Sequence, residues 1–305
     1  MAFSEGAISL KAVAGGRGGS WFVLMEGIAR LVAEMHPAIR IDVVEGGGVM
    51  NHSLVGSGEV DLGILNPPMT AAAVEGRDPY DRTYPDLRAG VANLTLNYLH
   101  LLVEADSPLQ AMDEWINRKA VLNIPVDRVG TVDRLVFRLA LEHLGASEKD
   151  VEAWGCRLVP AANYDQQLDL YRGGDVNALW QFMGVPSPSV AAANDARPLK
   201  LLSLPPTLIR HLDSLGWTAD RIPAGAYGIA RGAVPTISMG TTLGFHAGVS
   251  EEVAHAITGV VCDNPDLVGA IHPAAEGFDP ANAATNPRGP VHEGSGRYYR
   301  EHGIG

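Results

Sequence analysis

The residues best placed to do chemistry in this sequence form a glycine-rich segment, AGGRGGSWF at 14–22, between a predicted strand and a predicted helix. The β-rich run ISLKAV precedes it, and apolar residues recur at helical spacing from Trp21 to Met35. Ser20 is the predicted N-cap of this helix. Glycines allow close approach of the backbone, and the free N–H groups of a first helical turn bind anions. The segment is therefore predicted to bind a small anionic or polar ligand; its glycines are Gly15, Gly16, Gly18 and Gly19.

The alternative to a binding loop is a glycine-rich turn that only connects the strand to the helix. The segment is not a P-loop, because no Lys-Ser or Lys-Thr pair closes it. It is also a poor dinucleotide fingerprint, since Trp21 stands where the third glycine of that pattern should fall. The segment therefore carries no specific nucleotide signature.

The usual motifs of catalytic and metal sites are missing from the sequence. It contains no Gly-x-Ser-x-Gly elbow, no His-Glu-x-x-His motif and no Cys–His pair at a recognisable spacing. Cys156 and Cys262 lie far apart in apolar surroundings, so both are predicted to be buried packing residues rather than a disulfide or a redox pair. We therefore expect no metal, no cofactor and no catalytic residue, which favours a binding protein over an enzyme.

Length, composition and charge limit the kind of protein further. With 305 residues, of which 46% are hydrophobic, the chain is long enough for two lobes with full cores. The formal net charge of −12 and the lack of a Lys/Arg-rich run disfavour a nucleic-acid partner. No apolar run approaches the roughly 20 residues that a membrane-spanning helix needs.

The N-terminal residues MAFSEGAIS have neither the cationic region nor the apolar stretch of a signal peptide. Two expectations stay open: a periplasmic protein whose export signal has been removed, or a cytoplasmic protein if the sequence is complete. A longer upstream reading frame would decide between them.

The first hundred residues are predicted to alternate strands and helices. After the first helix come strands at 39–44 and 61–65 and, between them, a helix at 49–55. This order implies a parallel sheet with right-handed crossovers, in which ligands bind beyond the carboxyl ends of the strands. The glycine-rich segment follows Val13 in this way, and Asn66 follows Leu65. Asn66 is predicted to hydrogen-bond a ligand, with initiation of the turn at Pro67-Pro68 as the alternative.

A second α/β series follows two strands between residues 87 and 106. Its predicted strands are 120–124, 156–160, 177–182 and 199–204, and its predicted helices include 111–117, 163–172, 187–195 and 205–216. Gly130 and Thr131 are expected at the carboxyl end of a strand, with Thr131 capping a helix that Gly145 ends. The arrangement of the first loop is thus predicted to repeat.

We therefore expect an α/β protein of two lobes, each a mostly parallel sheet flanked by helices. Lobe 1 would comprise residues 1–100 and 237–305, and lobe 2 would comprise residues 101–236. Two long strands would join the lobes, which are expected to face each other across a cleft. The terminal helices, beginning at 250–262, are expected to pack back on lobe 1.

Several segments, taken in order, resemble the TAXI-type solute receptors of TRAP transporters, and the likeness spans about residues 8–304. They are AGGRGGSWF, SGEVDLGIL, LHLLV, VGT, GDVNALWQF, VPSPSV, IPAGAYG, VPTISMG, IHPAA and RYYREHG. The resemblance implies a two-lobed type II periplasmic-binding-protein fold with a ligand cleft between the lobes. It also implies capture of a small organic acid or amino acid and delivery to a sodium-driven TRAP-type permease. We expect such a receptor to act as a monomer, with no nucleic-acid partner.

Carried over by position, the resemblance also implies a set of ligand contacts. These are Gly19, Ser20 and Trp21 in the first loop, Asn66 after the third strand, Gly130, Thr131 and Val132 at the facing helix, and Gln181 and Tyr227 as further candidates. Two helix N-termini would give a carboxylate backbone N–H bonds without a full buried counter-charge. Trp21 would supply an aromatic wall or belong to the core, and His100 is interpreted as structural.

Five residues, at four places in the sequence, depart from the pattern of the resemblance. Val129 replaces a serine, Pro67-Pro68 replaces an aspartate or a similar polar residue, Gln181 replaces an aromatic residue, and Arg17 replaces a small residue. These changes predict a carboxylate ligand that differs from those of relatives. Its second anionic group would bind Arg17, unless Arg17 is a solvated loop residue.

Two further functions remain as alternatives to a transport receptor. A ligand-sensing subunit for a signalling partner would carry the same binding residues. An enzyme could also use the same two-lobed scaffold, because function depends on the site rather than on the fold. Neighbouring genes, encoding permease subunits or a sensor kinase, would separate transport from sensing.

Overall fold

The computed structural model describes residues 7–17 and 19–305. Gly18 of the glycine-rich segment, and most of the N-terminal stretch tested for an export signal, lie outside the described residues. The chain divides into two compact units. The first unit contains the chain up to Leu96 together with Gly240–Gly305, and the second unit contains Asn97–Met239.

Strands and helices alternate along most of the chain. The strands are β1 Ile8–Val13, β2 Ile39–Val44, β3 Leu62–Leu65, β4 Leu87–Val91, β5 Leu96–Glu104, β6 Ile124–Val126, β7 Leu158–Pro160, β8 Ala178–Met183, β9 Leu199–Leu201, β10 Thr218–Ile222, β11 Val234–Gly240 and β12 Thr242–His246. The helices are α1 Ser20–Met35, α2 Met50–Gly56, α3 Pro67–Glu75, α4 Met112–Arg118, α5 Val132–His143, α6 Glu148–Ala153, α7 Tyr164–Gly173, α8 Pro188–Ala196, α9 Pro206–Ser214, α10 Glu251–Asp263, α11 Pro265–Ile271 and α12 Glu293–His302.

The first unit is built on a five-stranded sheet in the order β2-β1-β3-β12-β4. β1 pairs in parallel with β2 and β3, whereas β12 runs antiparallel to both β3 and β4. Met25 and Ile28 of α1 are fully buried in the core of this unit together with Ile64 and Phe245. The apolar stripe of α1 thus covers the sheet, as its spacing predicted.

The second unit contains a sheet in the order β10-β11-β5-β8, with β9 also paired to β5. β5 runs antiparallel to β8 and β9, and β10 runs antiparallel to β11. A separate parallel pair joins β6 to β7. Leu102, Leu168, Tyr171 and Leu179 form a buried cluster in this unit.

The predicted α/β class with helices flanking the sheets is confirmed, but the sheets are mixed rather than mostly parallel. In the first unit, β12 is the antiparallel strand, and it is inserted between β3 and β4. In the second unit, the central strand β5 has antiparallel partners. A run of apolar residues indicates that a strand is covered on both faces, but it does not indicate whether the neighbouring strands run parallel or antiparallel to it.

The structure also corrects three local predictions. Gly19, not Ser20, is the N-cap of α1, and Ser20 is the first helical residue. The segment after Asn66 forms the helix α3 rather than a proline turn alone, because proline is well suited to the first turn of a helix. The strand predicted at 120–124 is instead β6, which begins at the last of those residues.

Other predictions agree with the structure. Thr131 is the N-cap of α5, and its Oγ1 accepts a hydrogen bond of 3.3 Å from the backbone N–H of Arg134. Cys156 and Cys262 are both free and buried. Along the described residues, none of the helices combines the length and apolarity that crossing a membrane requires.

Candidate functional site

The start of α1 presents backbone donors without a side-chain cap. Gly19 has extended backbone angles and offers no capping side chain, so the first-turn N–H groups receive no side-chain acceptor from it. The first turn carries no acidic residue either. Ser20 is exposed, and Trp21 is half-buried against the core of the first unit. The positive end of a sixteen-residue helix is thus left uncompensated in this turn, which suits an anionic group.

Arg17 is occupied by a local partner. Its Nε lies 3.5 Å from Glu45 Oε1, and the two side chains are 73% and 56% exposed. Its guanidinium also lies over the ring of Phe22, 5.3 Å from the ring centroid. These contacts are those of a solvated loop residue, and an ion pair this exposed contributes little free energy.

Asn66 carries a buried donor without a partner. It is fully buried and is the N-cap of α3, where its Oδ1 accepts a hydrogen bond of 3.2 Å from the backbone N–H of Met69. Among the described residues, none accepts a hydrogen bond from its Nδ2. Leaving a buried amide donor unpaired costs about 1–3 kcal/mol. This atom therefore marks a position where a ligand acceptor would be stabilising.

Asn51, a residue of α2 that the sequence analysis did not single out, ties together the ends of two strands. Its Nδ2 donates to the carbonyl of Ala14 at 2.9 Å and to the carbonyl of Ile64 at 2.7 Å. Its Oδ1 accepts from the backbone N–H of Gly47 at 2.8 Å. The side chain thus holds Ala14, at the start of the glycine-rich segment, beside Ile64. Ile64 lies near the end of β3, two residues before Asn66.

His52, the next residue of α2, positions Asn66 directly. Its Nδ1 lies 2.9 Å from the carbonyl of Gly48. Its Nε2 lies 3.1 Å from the carbonyl oxygen and 3.3 Å from the backbone nitrogen of Asn66. Burial lowers the pKa of His52 to about 4, so the ring is neutral near pH 7.

In the second unit, the start of α5 contains three of the predicted contacts. Gly130 is exposed and has a φ of +94°, and Val132 is buried. The Thr131 hydroxyl is used within the loop, because it also donates to the carbonyl of Arg128 at 3.0 Å. Contacts of this segment with a ligand are therefore left to its backbone.

Asp133 follows these residues and was not predicted as a site residue. It is buried, and its Oδ1 accepts from the backbone N–H of Phe182 at 2.8 Å and from the hydroxyl of Tyr164 at 2.9 Å. Burial, and to a smaller extent the nearby charge of Asp127, raise the pKa of Asp133 to about 7. An ionisable acid at the start of α5 disfavours a second anionic group there.

Gln181 belongs to a chain of hydrogen bonds that starts at Asp127. Gln167 Nε2 donates to Asp127 Oδ1 at 2.8 Å, and Gln181 Nε2 donates to Gln167 Oε1 at 2.7 Å. Gln167 and Gln181 are both fully buried. Burial raises the pKa of Asp127, while Gln167, Arg128 and Arg134 lower it.

The Tyr227 hydroxyl is paired inside the second unit. His100 Nδ1 lies 2.8 Å from the carbonyl of Tyr98, which fixes the proton on Nδ1. Tyr227 then donates to His100 Nε2 at 2.9 Å and accepts from the backbone N–H of Ser187 at 3.1 Å. Burial lowers the pKa of His100 to about 4, so this ring is neutral and joins β5 to the loop of Tyr227.

Within each unit, side chains that sequence reasoning missed form hydrogen bonds that link the segments carrying predicted residues. The missed residues are Asn51, His52, Asp127, Asp133, Tyr164 and Gln167. In the sequence, each of them is a polar residue inside or beside a predicted buried element. A buried polar side chain lowers the stability of the fold unless it has hydrogen-bond partners, so such residues could have been singled out. No group of His, Cys, Asp and Glu in the described part of the chain could hold a metal ion.

Several solved structures have a fold similar to that of this chain. MatC from Rhodopseudomonas palustris with bound malate has a TM-score of 0.55 at 15% identity, covering 96% of this chain and 98% of that chain. The R. palustris protein Rpa4515 with adipate has a TM-score of 0.55 at 13% identity, covering 97% and 95%. The periplasmic binding protein BugD has a TM-score of 0.52 at 11% identity, covering 99% of both chains. The predicted type II periplasmic-binding-protein fold is thereby confirmed.

The family follows from the sequence itself. The model of the NMT1-like family matches residues 13–303, and the chain belongs to that family. None of the curated protein sequences compared with the chain matches it.

Proposed function

We propose that this protein is an extracytoplasmic solute-binding receptor that captures a small organic acid or amino acid and delivers it to a sodium-coupled TRAP-type permease. Membership of the NMT1-like family and the fold shared with malate- and adipate-bound proteins support a solute-binding role. The resemblance to TAXI-type receptors supports the permease partner. The protein would bind its solute as a monomer, in the periplasm, without transforming it.

The observation that carries the proposal is the Nδ2 donor of the buried Asn66, which has no acceptor among the described residues. This donor follows β3, and Asn51 binds both the end of β3 and the glycine-rich segment that leads into α1. A carboxylate is the small ligand group best matched to such donors, because it accepts hydrogen bonds and carries a charge that favours a helix N-terminus.

The proposal assigns contacts to each unit separately. In the first unit, the backbone of Gly19 and Ser20 and the Asn66 amide would bind the carboxylate, and Trp21 would supply an apolar wall. In the second unit, the contacts would come from the backbone of Gly130, Thr131 and Val132, from Gln181 and from the ring of Tyr227. Arg17 is proposed to remain a solvated loop residue, since Glu45 already pairs with it.

A thermal-shift screen of organic acids and amino acids tests solute binding. A ligand that binds only the folded protein increases the free energy of unfolding by mass action, by about 2.7 kcal/mol at one hundred times its Kd, and thereby raises the unfolding midpoint. We expect at least one small carboxylate to raise the midpoint in proportion to the logarithm of its concentration. If a broad panel produces no shift, the receptor function is wrong.

Reconstitution of transport in vesicles tests the proposed permease partner. The solute found by the screen would be radiolabelled and offered, with the receptor, to vesicles containing TRAP-type permease subunits from the same organism. We expect uptake that requires both the receptor and an inward sodium gradient. Uptake without a sodium gradient would rule out the TRAP-type partner and leave solute binding unaffected.

A further inference from the structure

We infer that Gln181 selects a solute that carries a protonated amine in addition to its carboxylate, and that Gln181 Oε1 accepts a hydrogen bond from that amine. The inference rests on the proposed receptor function and narrows its ligands to amino acids and other amine-bearing acids. Gln181 lies in β8, at the position where the resemblance to TAXI-type receptors expects an aromatic residue.

The orientation of the Gln181 amide is determined by Asp127. Gln167 Nε2 donates to the Asp127 carboxylate, which leaves Gln167 Oε1 as an acceptor. Gln181 must therefore turn its Nε2 toward Gln167, and the two atoms lie 2.7 Å apart. A flipped Gln181 amide would place two oxygens in contact, so Oε1 is the free end of the chain.

This free end is a buried acceptor without a donor. Gln181 is fully buried, and no donor among the described residues reaches its Oε1. An unpaired buried acceptor lowers the stability of a fold, whereas an apolar side chain at this strand position would carry no such penalty. A hydrogen-bond donor on the ligand would pair with Oε1 and remove this cost in the complex. Oε1 therefore favours a solute that carries such a donor.

The nearby charges favour a cationic donor over a neutral hydroxyl. Asp127 lies at the other end of the amide chain, and Asp133 accepts from the backbone N–H of Phe182, the residue next to Gln181. Burial raises the pKa of both carboxyl groups. A protonated amine would stabilise their ionised forms, whereas a ligand carboxylate would raise both pKa values further.

Matched ligands that differ at one carbon test the inference. One set is L-aspartate, L-malate and succinate, and a second is L-leucine, 2-hydroxy-4-methylpentanoate and 4-methylpentanoate. Their Kd values for the full chain would be measured by titration calorimetry at pH 7. We expect the amino acid of at least one set to bind at least about 10-fold tighter than its hydroxy and unsubstituted analogues, as a hydrogen bond to a charged group predicts.

Two variants connect this preference to the residue. Gln181→Met removes the acceptor at similar volume, and Gln110→Met removes an exposed amide from the same unit as a matched control. We expect Gln181→Met to weaken the amino acid by about 10- to 100-fold and the unsubstituted acid by less than about 3-fold. Gln110→Met should leave every Kd unchanged. Thermal unfolding without ligand verifies that each variant folds.

Three results would overturn the inference. The first is that the unaltered chain binds the unsubstituted acids as tightly as it binds the amino acids. This result requires no variant, and it would leave the receptor function intact. The second is an equal loss of all three ligands of a set in Gln181→Met. The third is failure of every acid in both sets and in the broad screen to bind, which overturns the receptor function as well.

Discussion

Asp133 Oδ1 lies 2.8 Å from the backbone nitrogen of Phe182, so a buried carboxyl group joins the first turn of α5 to β8. Tyr164 of α7 donates to the same oxygen at 2.9 Å. Among the described residues, Asp127 is the charged group that shifts the pKa of Asp133, and both carboxyl groups are negative when ionised. Ionised Asp133 is therefore held by two neutral donors, at a cost in stability above neutral pH.

Asp133→Asn should stabilise the protein at high pH and not at low pH. The folded-state pKa of about 7 exceeds the unperturbed value of 3.8, so the wild type loses stability as the pH rises from about 4 to about 7. Asparagine keeps the Oδ1 acceptor and does not titrate. The gain should reach at most about 4 kcal/mol at pH 8 and vanish near pH 4, measured by urea unfolding at each pH.

Asp195→Asn, an exposed substitution in α8, is the control for Asp133→Asn and should show no such pH dependence. A stability difference for Asp133→Asn that is constant between pH 4 and pH 8, or larger at pH 4, would contradict the assignment of a raised pKa. Because Asp127 faces Asp133 and is itself influenced by Arg128 and Arg134, the transition should be broader than that of an isolated acid.

Asn66→Asp should weaken solute binding while the cap of α3 persists. Aspartate retains the Oδ1 that accepts from Met69, but it replaces the unpartnered Nδ2 donor with an anionic oxygen. Affinity for the carboxylate found by the screen should fall by at least about 10-fold in calorimetry. Asn163→Asp alters the exposed N-cap of α7 in the same way and should bind normally. Unchanged affinity in a folded Asn66→Asp protein would remove Asn66 from the site.

Gly46→Ala should destabilise the loop that follows β2. An added Cβ would lie 2.1 Å from Asn51 Oδ1, 2.4 Å from Val13 Cγ2 and 2.6 Å from the carbonyl of Ala14. Such overpacking costs about 1–3 kcal/mol, which urea unfolding would detect. Gly47→Ala is the neighbouring control, because its added Cβ meets nothing within 4 Å. Equal stability of the two variants would show that Asn51 does not hold this loop rigidly.

Arg17→Ala should have little effect on either stability or binding. The Arg17–Glu45 pair is mostly exposed, so its removal should change the free energy of unfolding by less than about 0.5 kcal/mol. Affinity for the solute found by the screen should stay within about 3-fold of the unaltered chain. A loss above about 10-fold, confined to dianionic solutes, would instead support a second anionic group bound by Arg17.

The sequence alone was sufficient where local physics decides the outcome. The apolar spacing of α1 predicted its buried face, and Thr131 and Gly145 predicted the limits of α5. The alternation of strands and helices predicted the α/β class. Asn66 was also found from the sequence, because its position after a buried strand suffices to identify a candidate site.

Only the tertiary structure decided the directions of the strands and the partners of the buried polar groups. The antiparallel insertion of β12 depends on residues far apart in the chain, and so does the contact of Asp133 with Phe182. Hydrogen bonds of this kind leave no periodic pattern, because each polar side chain is satisfied by a neighbour brought close only by folding. Spacing therefore located the loops of the candidate site, and packing determined which of their donors and acceptors remain for a ligand.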